Sequence, residues 1–213
     1  MFKQWLTEDI ELTFGIEEVD NLAPLEEWLA ATPDVTASQL ATVADTHRLA
    51  LRFVPNWNEE ELKLFMISRL LNAVGFNEMA YRAWAEQPLE ITTQDITARG
   101  NVDFLVAAGK SRPRAPYFLL QEYMPENKTV YDARGQLVIA MLAAYRKNVE
   151  AGMAEPIYGS YVLGRFWFFV VVVDNRYAVS LAYDCTKPDE IRAILNALQQ
   201  VKIYIEHRLQ IPA

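Results

Sequence analysis

Two carboxylates stand in otherwise apolar stretches of the sequence, where they are well placed to do chemistry. Asp103 lies in the segment GNVDFLVA (100–107), and Glu122 follows nineteen residues later in YFLLQEY (117–123). Both segments predict strands, in which Asp is normally depleted. Carboxylates on neighbouring strands can share a hard cation such as Mg²⁺, which would polarise a phosphate and generate hydroxide. The ordinary alternatives are a turn or salt-bridge role for Asp103 and a solvated strand end for Glu122.

The elements that must position these carboxylates follow from hydrophobic periodicity and from turn residues. Apolar positions at helical spacing predict helices over 21–30, 36–53, 58–74, 132–150 and 188–209. Apolar and β-branched runs predict strands over 81–91, 96–107, 117–123, 157–163, 166–173 and 177–183. The order of these elements predicts an α/β fold with a central sheet flanked by helices.

Several boundaries have specific causes. Asn58 is the expected N-cap of the third helix, and Gly75 is its expected end. Gly100-Asn101 predicts a turn or bulge, and Asp174-Asn175 predicts a tight hairpin. Ile10, Leu12, Phe14 and Ile16 alternate with other residues, and this pattern predicts a half-buried strand or an extended anchor over 10–16.

The length of 213 residues fits one domain. We expect residues 1–213 to form it, with 1–55 as an N-terminal helical elaboration and 56–213 as the core. No apolar run approaches the roughly 18 residues of a membrane span, and the first residues lack the apolar region of a signal peptide. The single cysteine, Cys185, cannot form an internal disulfide, which suits a reducing compartment. These features predict a cytoplasmic protein without membrane contact.

The charge is distributed unevenly along the chain. The net charge of −8 argues against a constitutive nucleic-acid binder. Residues 1–98 carry 6 basic and 17 acidic residues, whereas residues 99–147 carry 8 basic and 4 acidic residues. The 99–147 segment is thus basic and also contains both carboxylates, although uneven scatter of surface charge gives the same pattern.

The motifs resemble those of a largely uncharacterised bacterial family of the PD-(D/E)XK nuclease-like superfamily. The matching features are the GxVDFxVA-like strand with Asp103, the QEY strand with Glu122 and the GQLVIAMLAA helix with Gln136. The likeness extends to segments 9–15, 157–171 and 182–184, and covers most of the chain. It implies a restriction-endonuclease-like core, with a mixed central sheet flanked by helices.

The resemblance also implies roles for individual residues. Asp103 and Glu122 would hold Mg²⁺, Gln136 would complete the site, and Glu61 on the first core helix would be its neighbour. Gln136 is otherwise an ordinary helix-start residue, and Glu61 an ordinary helix-start charge, with Glu59 and Glu60 as rivals for the site role. The superfamily lysine, two residues after the glutamate, is replaced by Met124. Lys128 is the expected substitute, since the catalytic lysine is known to migrate in this superfamily.

Two functions follow from these expectations. The first is a non-catalytic binding module with a degenerate site that holds Mg²⁺ weakly or not at all. Its partner would be DNA, bound through residues 99–147, or another protein, and a homodimer is compatible with this interpretation. The alternative is an active Mg²⁺-dependent nuclease in which Lys128 replaces the missing lysine. Met124 and the acidic N-terminal half favour the first, whereas Asp103, Glu122 and Gln136 favour the second.

Overall fold

A computed structural model describes residues 1–93, 96–126 and 132–211. Its α-helices are α1 Thr7–Phe14, α2 Ala23–Ala30, α3 Ala37–Phe53, α4 Glu59–Leu62, α5 Ser68–Val74, α6 Ala133–Glu150 and α7 Pro188–Arg208. Its strands are β1 Glu17–Glu18, β2 Tyr81–Thr92, β3 Thr97–Ala108, β4 Arg114–Met124, β5 Ile157–Leu163, β6 Phe166–Val173, β7 Arg176–Val179 and β8 Tyr183–Asp184. A π-helical turn, Lys63–Ile67, joins α4 to α5.

The strands of the described residues form one mixed eight-stranded sheet in the order β1-β7-β6-β5-β4-β3-β2, with β8 also paired to β6. The β4–β5 and β1–β7 pairs are parallel, and the other pairs are antiparallel. Helix α6 connects β4 to β5, as parallel neighbours require a crossover. The predicted α/β class with a mixed sheet flanked by helices is therefore confirmed.

Each face of the sheet carries its own apolar cluster. On one face α2, α3, α5 and α7 pack around Trp28 and Trp167, which are fully buried. On the other face α1 and α6 pack on the sheet, and α6 is buried along most of its length. The first 55 residues contribute to both clusters, since β1 pairs with β7 and Trp28 Nε1 donates to Ala197 O at 2.7 Å. No helix of the described residues is long and apolar enough to cross a membrane.

The prediction of an extended segment over residues 10–16 is wrong, because the chain forms helix α1 there. Ile10 and Phe14 are one helical turn apart and are buried, whereas Leu12 is 81% exposed. Gly15 ends the helix with a φ of 67°, which glycine adopts without strain. Over so few residues, alternation and helical spacing share the positions i and i+4, and the contact with α6 selects the helix.

The third predicted helix is present but is interrupted by the π-helical turn. Asn58 and Gly75 end it as predicted, through a capping box at the start and a φ of 76° at the end. The π-helical turn, however, leaves Phe65 37% exposed while Met66 and Ile67 are buried. A wider turn rotates the side chains of the helix, and this rotation accounts for the exposure of Phe65 between buried neighbours.

The expected turn or bulge at Gly100-Asn101 is also absent from the described structure. The β2–β3 ladder continues through these residues, with Gly100 opposite Leu89. Gly100 serves close packing instead, because a Cβ atom there would overlap the Phe2 side chain. The predicted 177–183 strand is divided into β7 and β8, which pair with different parts of β6.

Candidate functional site

The β3–β4 ladder brings Asp103 and Glu122 face to face. Phe104 pairs with Gln121 in this antiparallel ladder, so the next residue pair outward is Asp103 and Glu122. Directly opposite residues point their side chains to the same face of a sheet. The two carboxyl groups share a side-chain hydrogen bond, and Tyr123 N donates to Asp103 Oδ2 at 3.0 Å. A hydrogen bond between two carboxyl groups forms only while one of them carries a proton.

The surroundings favour retention of that proton. Burial is the main cause that raises the pKa of Asp103 above its ordinary value, and the hydrogen bonds from Tyr123 N–H and Glu122 oppose it. The charges of Glu86 and Glu59 raise the pKa further. A shared proton between crowded carboxyl groups is a recurrent arrangement at functional sites, because like charges at close range cannot both persist.

Glu86 is a member of this site that the sequence did not reveal. It lies across the β2–β3 ladder from Asp103, between the pairs Ala85–Phe104 and Gln87–Val102. Its φ of 51° is unusual for a residue with a side chain. The available sequence clue was the consecutive polar residues at 86 and 87, which break the alternation of an amphipathic strand.

Among the described residues, Lys63 brings a cation to the site, and it also was not predicted. Its Nζ lies 3.7 Å from Glu86 Oε1 and 5.6 Å from the centre of the Tyr123 ring. The ammonium group therefore offsets part of the negative charge around Asp103 from the side of the π-helical turn. Because Lys63 is 30% exposed and Glu86 is 56% exposed, water screens their ion pair.

The structure does not assign Glu61 to this site. Its carboxylate accepts a hydrogen bond from Asn58 N at 2.9 Å, and its own N–H donates to Asn58 Oδ1. This reciprocal arrangement is a capping box, which satisfies two free N–H groups of the helix start. Glu59, one of the rivals, is the helix-start glutamate whose charge acts on Asp103.

Gln136 lies in the first turns of α6, the helix that packs on β4 and β5. Its side chain is buried, and its Nε2 donates weakly to Asp132 O at 3.5 Å. Asp132 in turn accepts hydrogen bonds from Thr7 N at 3.2 Å and Thr7 Oγ1 at 2.7 Å. Gln136 therefore lies in the helix layer that covers β4 and β5. The hydrogen bonds from Thr7 to Asp132 connect the start of this helix to the N-terminal segment.

Met124 occupies the position at which the resemblance implies a lysine. It is two residues beyond Glu122 on β4, so both side chains point to the same face of the sheet. It is 7% exposed and belongs to the apolar cluster beneath α6. A thioether there contributes packing and no positive charge. Lys128, the expected substitute, lies outside the described residues.

A cleft of about 870 Å³ lies along β2 and β3 and includes Asp103. Its charged lining consists of three carboxylates and three cations: Glu86, Glu90, Asp103, Arg99, Arg112 and Lys147. All three cations come from the basic 99–147 segment. Arg99 is paired with Glu90 at 2.9 Å, but both groups are largely exposed and the pair is weak. The cleft therefore brings one member of the carboxyl pair together with three cations.

The donor types of the carboxyl pair fit Mg²⁺, but the donor set is small. Within residues 1–93, 96–126 and 132–211, no group of three or more His, Cys, Asp or Glu side chains is arranged to hold a metal ion. Mg²⁺ commonly takes one or two carboxylates and completes its shell with water. Asp103 and Glu122 would hold the ion only after release of their shared proton, so they fit weak binding that strengthens with pH.

Comparison with known proteins adds no relative. No family model matches the chain, and no curated protein matches it either.

Proposed function

We propose that the chain is a non-catalytic nucleic-acid-binding module with a PD-(D/E)XK-like site. The observation that carries this proposal is Met124. Phosphodiester cleavage in such a site needs a cation beside the carboxylates to stabilise the charge that develops on phosphate. Met124 occupies that place on the Glu122 face and is packed among apolar side chains.

The cleft supports nucleic acid as the partner. Arg112 and Lys147 line it together with Arg99, and cations of this kind bind phosphates independently of sequence. The carboxylates of Asp103 and Glu86 in the same cleft repel phosphate, so the backbone would contact the cations. The overall negative charge predicts modest affinity that falls steeply with salt.

A second candidate is an active Mg²⁺-dependent nuclease, and the Asp103–Glu122 juxtaposition favours it. These two residues would hold the ion, which when bound supplies a polarised phosphate and an activated water. In that case Lys128 would provide the missing cation. This candidate and the first differ in one measurable property, which is metal-dependent cleavage.

Binding is tested with fluorescein-labelled single- and double-stranded DNA and RNA oligonucleotides in EDTA. We expect Arg112→Ala and Lys147→Ala to weaken binding and each to reduce the slope of log K against log salt by about 1. Arg192→Ala is the matched control, since Arg192 is exposed on α7 and does not line the cleft. Equal affinities for the cleft variants and the control would refute nucleic-acid binding in the cleft.

Catalysis is tested with the same substrates in Mg²⁺ and in Mn²⁺. We expect no cleavage above background by the wild type, and gain of cleavage by Met124→Lys, because one preorganised cationic donor commonly contributes about 10²–10³ in rate. Lys128→Ala is measured in parallel. Wild-type cleavage that disappears in Lys128→Ala would establish the active nuclease and refute the non-catalytic proposal.

A further inference from the structure

A second pocket of about 460 Å³ lies at the tip of the β3–β4 hairpin. The turn that leaves β3 lines it through Gly109, Lys110 and Ser111, and Arg114 lines it from the first position of β4. The other lining residues are small or apolar, namely Met79, Ala80, Ala108 and Ala115. We call this the hairpin pocket. Among the described residues, none lines both the hairpin pocket and the cleft.

The charged lining of the hairpin pocket has one sign. Lys110 and Arg114 bring two cations, and no carboxylate of the described residues lines the pocket. Glu78, the acidic residue next to Met79, has its Oε1 3.8 Å from the Nζ of Lys202 on α7. No ion pair within the described part of the chain engages Lys110 or Arg114. In the cleft three carboxylates accompany three cations, whereas the charge of the hairpin pocket selects an anionic occupant.

The uncharged polar groups of the turn are hydrogen-bond donors as well. Ser111 adds an exposed hydroxyl group to the lining. No backbone hydrogen bond between described residues uses the N–H groups of Lys110 and Ser111. Gly109 fixes the turn, because its φ of 114° suits glycine and a Cβ atom there would overlap Arg112 O. Cations with free neutral donors beside them are the groups that bind phosphate oxygen atoms.

The same turn contributes to the cleft. Arg112 and Pro113 line the cleft, whereas the residues on either side of them line the hairpin pocket. Cations of one short turn therefore line two separate recesses. A polymer with a phosphate group at every repeat can occupy both recesses at once, whereas one small phosphate ester occupies a single recess.

We propose that the hairpin pocket binds a phosphate group, with Lys110 and Arg114 as its charge partners and Ser111 as a neutral donor. We assign this phosphate to the nucleic-acid backbone on the basis of the proposed function, because the same turn lines the cleft. The bound strand then contacts the cleft through Arg112 and the hairpin pocket through the other cations of the turn. Free phosphate has the same chemistry and is measured beside it.

The nucleic-acid source is tested with fluorescein-labelled oligonucleotides and the full chain in EDTA. We expect Lys110→Ala and Arg114→Ala each to weaken binding about threefold to tenfold, and each to reduce the slope of log K against log salt by about 1. Arg176→Ala is the matched control, because Arg176 is an exposed arginine that follows another hairpin turn and lines neither recess. It should bind as the wild type does.

Free phosphate is tested by a ¹H–¹⁵N NMR titration of the full chain with inorganic phosphate. We expect the largest amide shifts at residues 109–111, and we expect the double variant Lys110→Ala, Arg114→Ala to lose them. Shifts that spread evenly over surface amides, or that persist in the double variant, would overturn the phosphate site. A polyglutamate peptide that binds as tightly as the oligonucleotides would also overturn it, because the pocket would then recognise negative charge alone.

The outcomes distinguish the hairpin pocket from the cleft. If the cleft variants Arg112→Ala and Lys147→Ala weaken oligonucleotide binding while the two pocket variants match the control, the proposed function stands and the hairpin pocket is refuted as a backbone contact. If no oligonucleotide binds, the proposed function fails. Phosphate shifts in the turn that the double variant removes would in that case support the pocket as a site for a free phosphate group.

Discussion

The carboxyl pair predicts an unusual pH dependence of stability, which Asp103→Asn should remove. Asparagine retains the shape of aspartate and can still accept the hydrogen bond from Tyr123 N. It cannot carry the charge that burial, Glu86 and Glu59 disfavour. The substitution therefore isolates the titration of Asp103 from its packing.

The sign and size follow from the raised pKa of Asp103. Burial is the largest cause that raises this pKa, and the charges of Glu86 and Glu59 raise it further, so the folded chain retains a proton that the unfolded chain releases. Above the ordinary Asp pKa of about 3.9, the folded state binds the extra proton until pH passes the raised pKa. The stability contributed by Asp103 is thus present below about pH 4 and is lost as pH rises, by up to about 1.4 kcal/mol per pH unit.

Urea unfolding of both proteins between about pH 4 and pH 8 measures this effect. The stability difference, Asp103→Asn variant minus wild type, should be smallest near pH 4, grow with pH and then level off above the raised pKa. The variant should be the more stable protein at neutral pH. Asp34→Asn is the matched control at an exposed aspartate, and its difference should stay flat. A flat difference for Asp103→Asn, or one that favours the wild type increasingly with pH, would refute the proton-sharing pair.

Three further outcomes are expected. Asn148→Ala should lower the free energy of unfolding, measured by urea denaturation, by about 2–4 kcal/mol. The buried Asn148 amide accepts a hydrogen bond from Tyr117 N and donates one to Tyr117 O, both at 2.8 Å. A smaller loss would show that water replaces the amide. Gly159→Ala should destabilise the folded chain by about 1–3 kcal/mol, because the alanine Cβ atom would overlap Met141 Sδ. A thermal unfolding midpoint equal to that of the wild type would contradict this packing. Calorimetry should show weak Mg²⁺ binding that strengthens with pH. Submicromolar binding that Asp103→Asn abolishes would contradict the inference that the small number of ligands limits the affinity.

Much of the sheet could be predicted because its strands carry strong local patterns. The run 166–173 is apolar throughout, with four aromatic residues followed by four valines, and β5 and β6 have the predicted bounds. The carboxyl pair also follows from sequence order, since adjacent antiparallel strands align Asp103 with Glu122. Local pattern and tertiary packing agree in these segments.

Other features depend on contacts that are distant in sequence. Helix α1 is short, and its first N–H group, at Thr7, is bonded to Asp132, 125 residues away. Glu86 joins the site only because the β2–β3 register places it opposite Asp103. The π-helical turn has no distinctive residue pattern, so Phe65 could not be assigned to the surface from periodicity.

The position of Asp103 itself argues for a function. A half-buried aspartate whose charge is opposed by its surroundings lowers stability at neutral pH, and an asparagine would provide the same backbone contact without that penalty. Residues that reduce stability without a structural benefit are characteristic of binding and catalytic sites. Met124, by contrast, packs in the apolar cluster beneath α6. Under the proposed function, a costly carboxyl pair stands beside a core-packed methionine at the position where the PD-(D/E)XK resemblance implies a lysine, and this combination suits binding without catalysis.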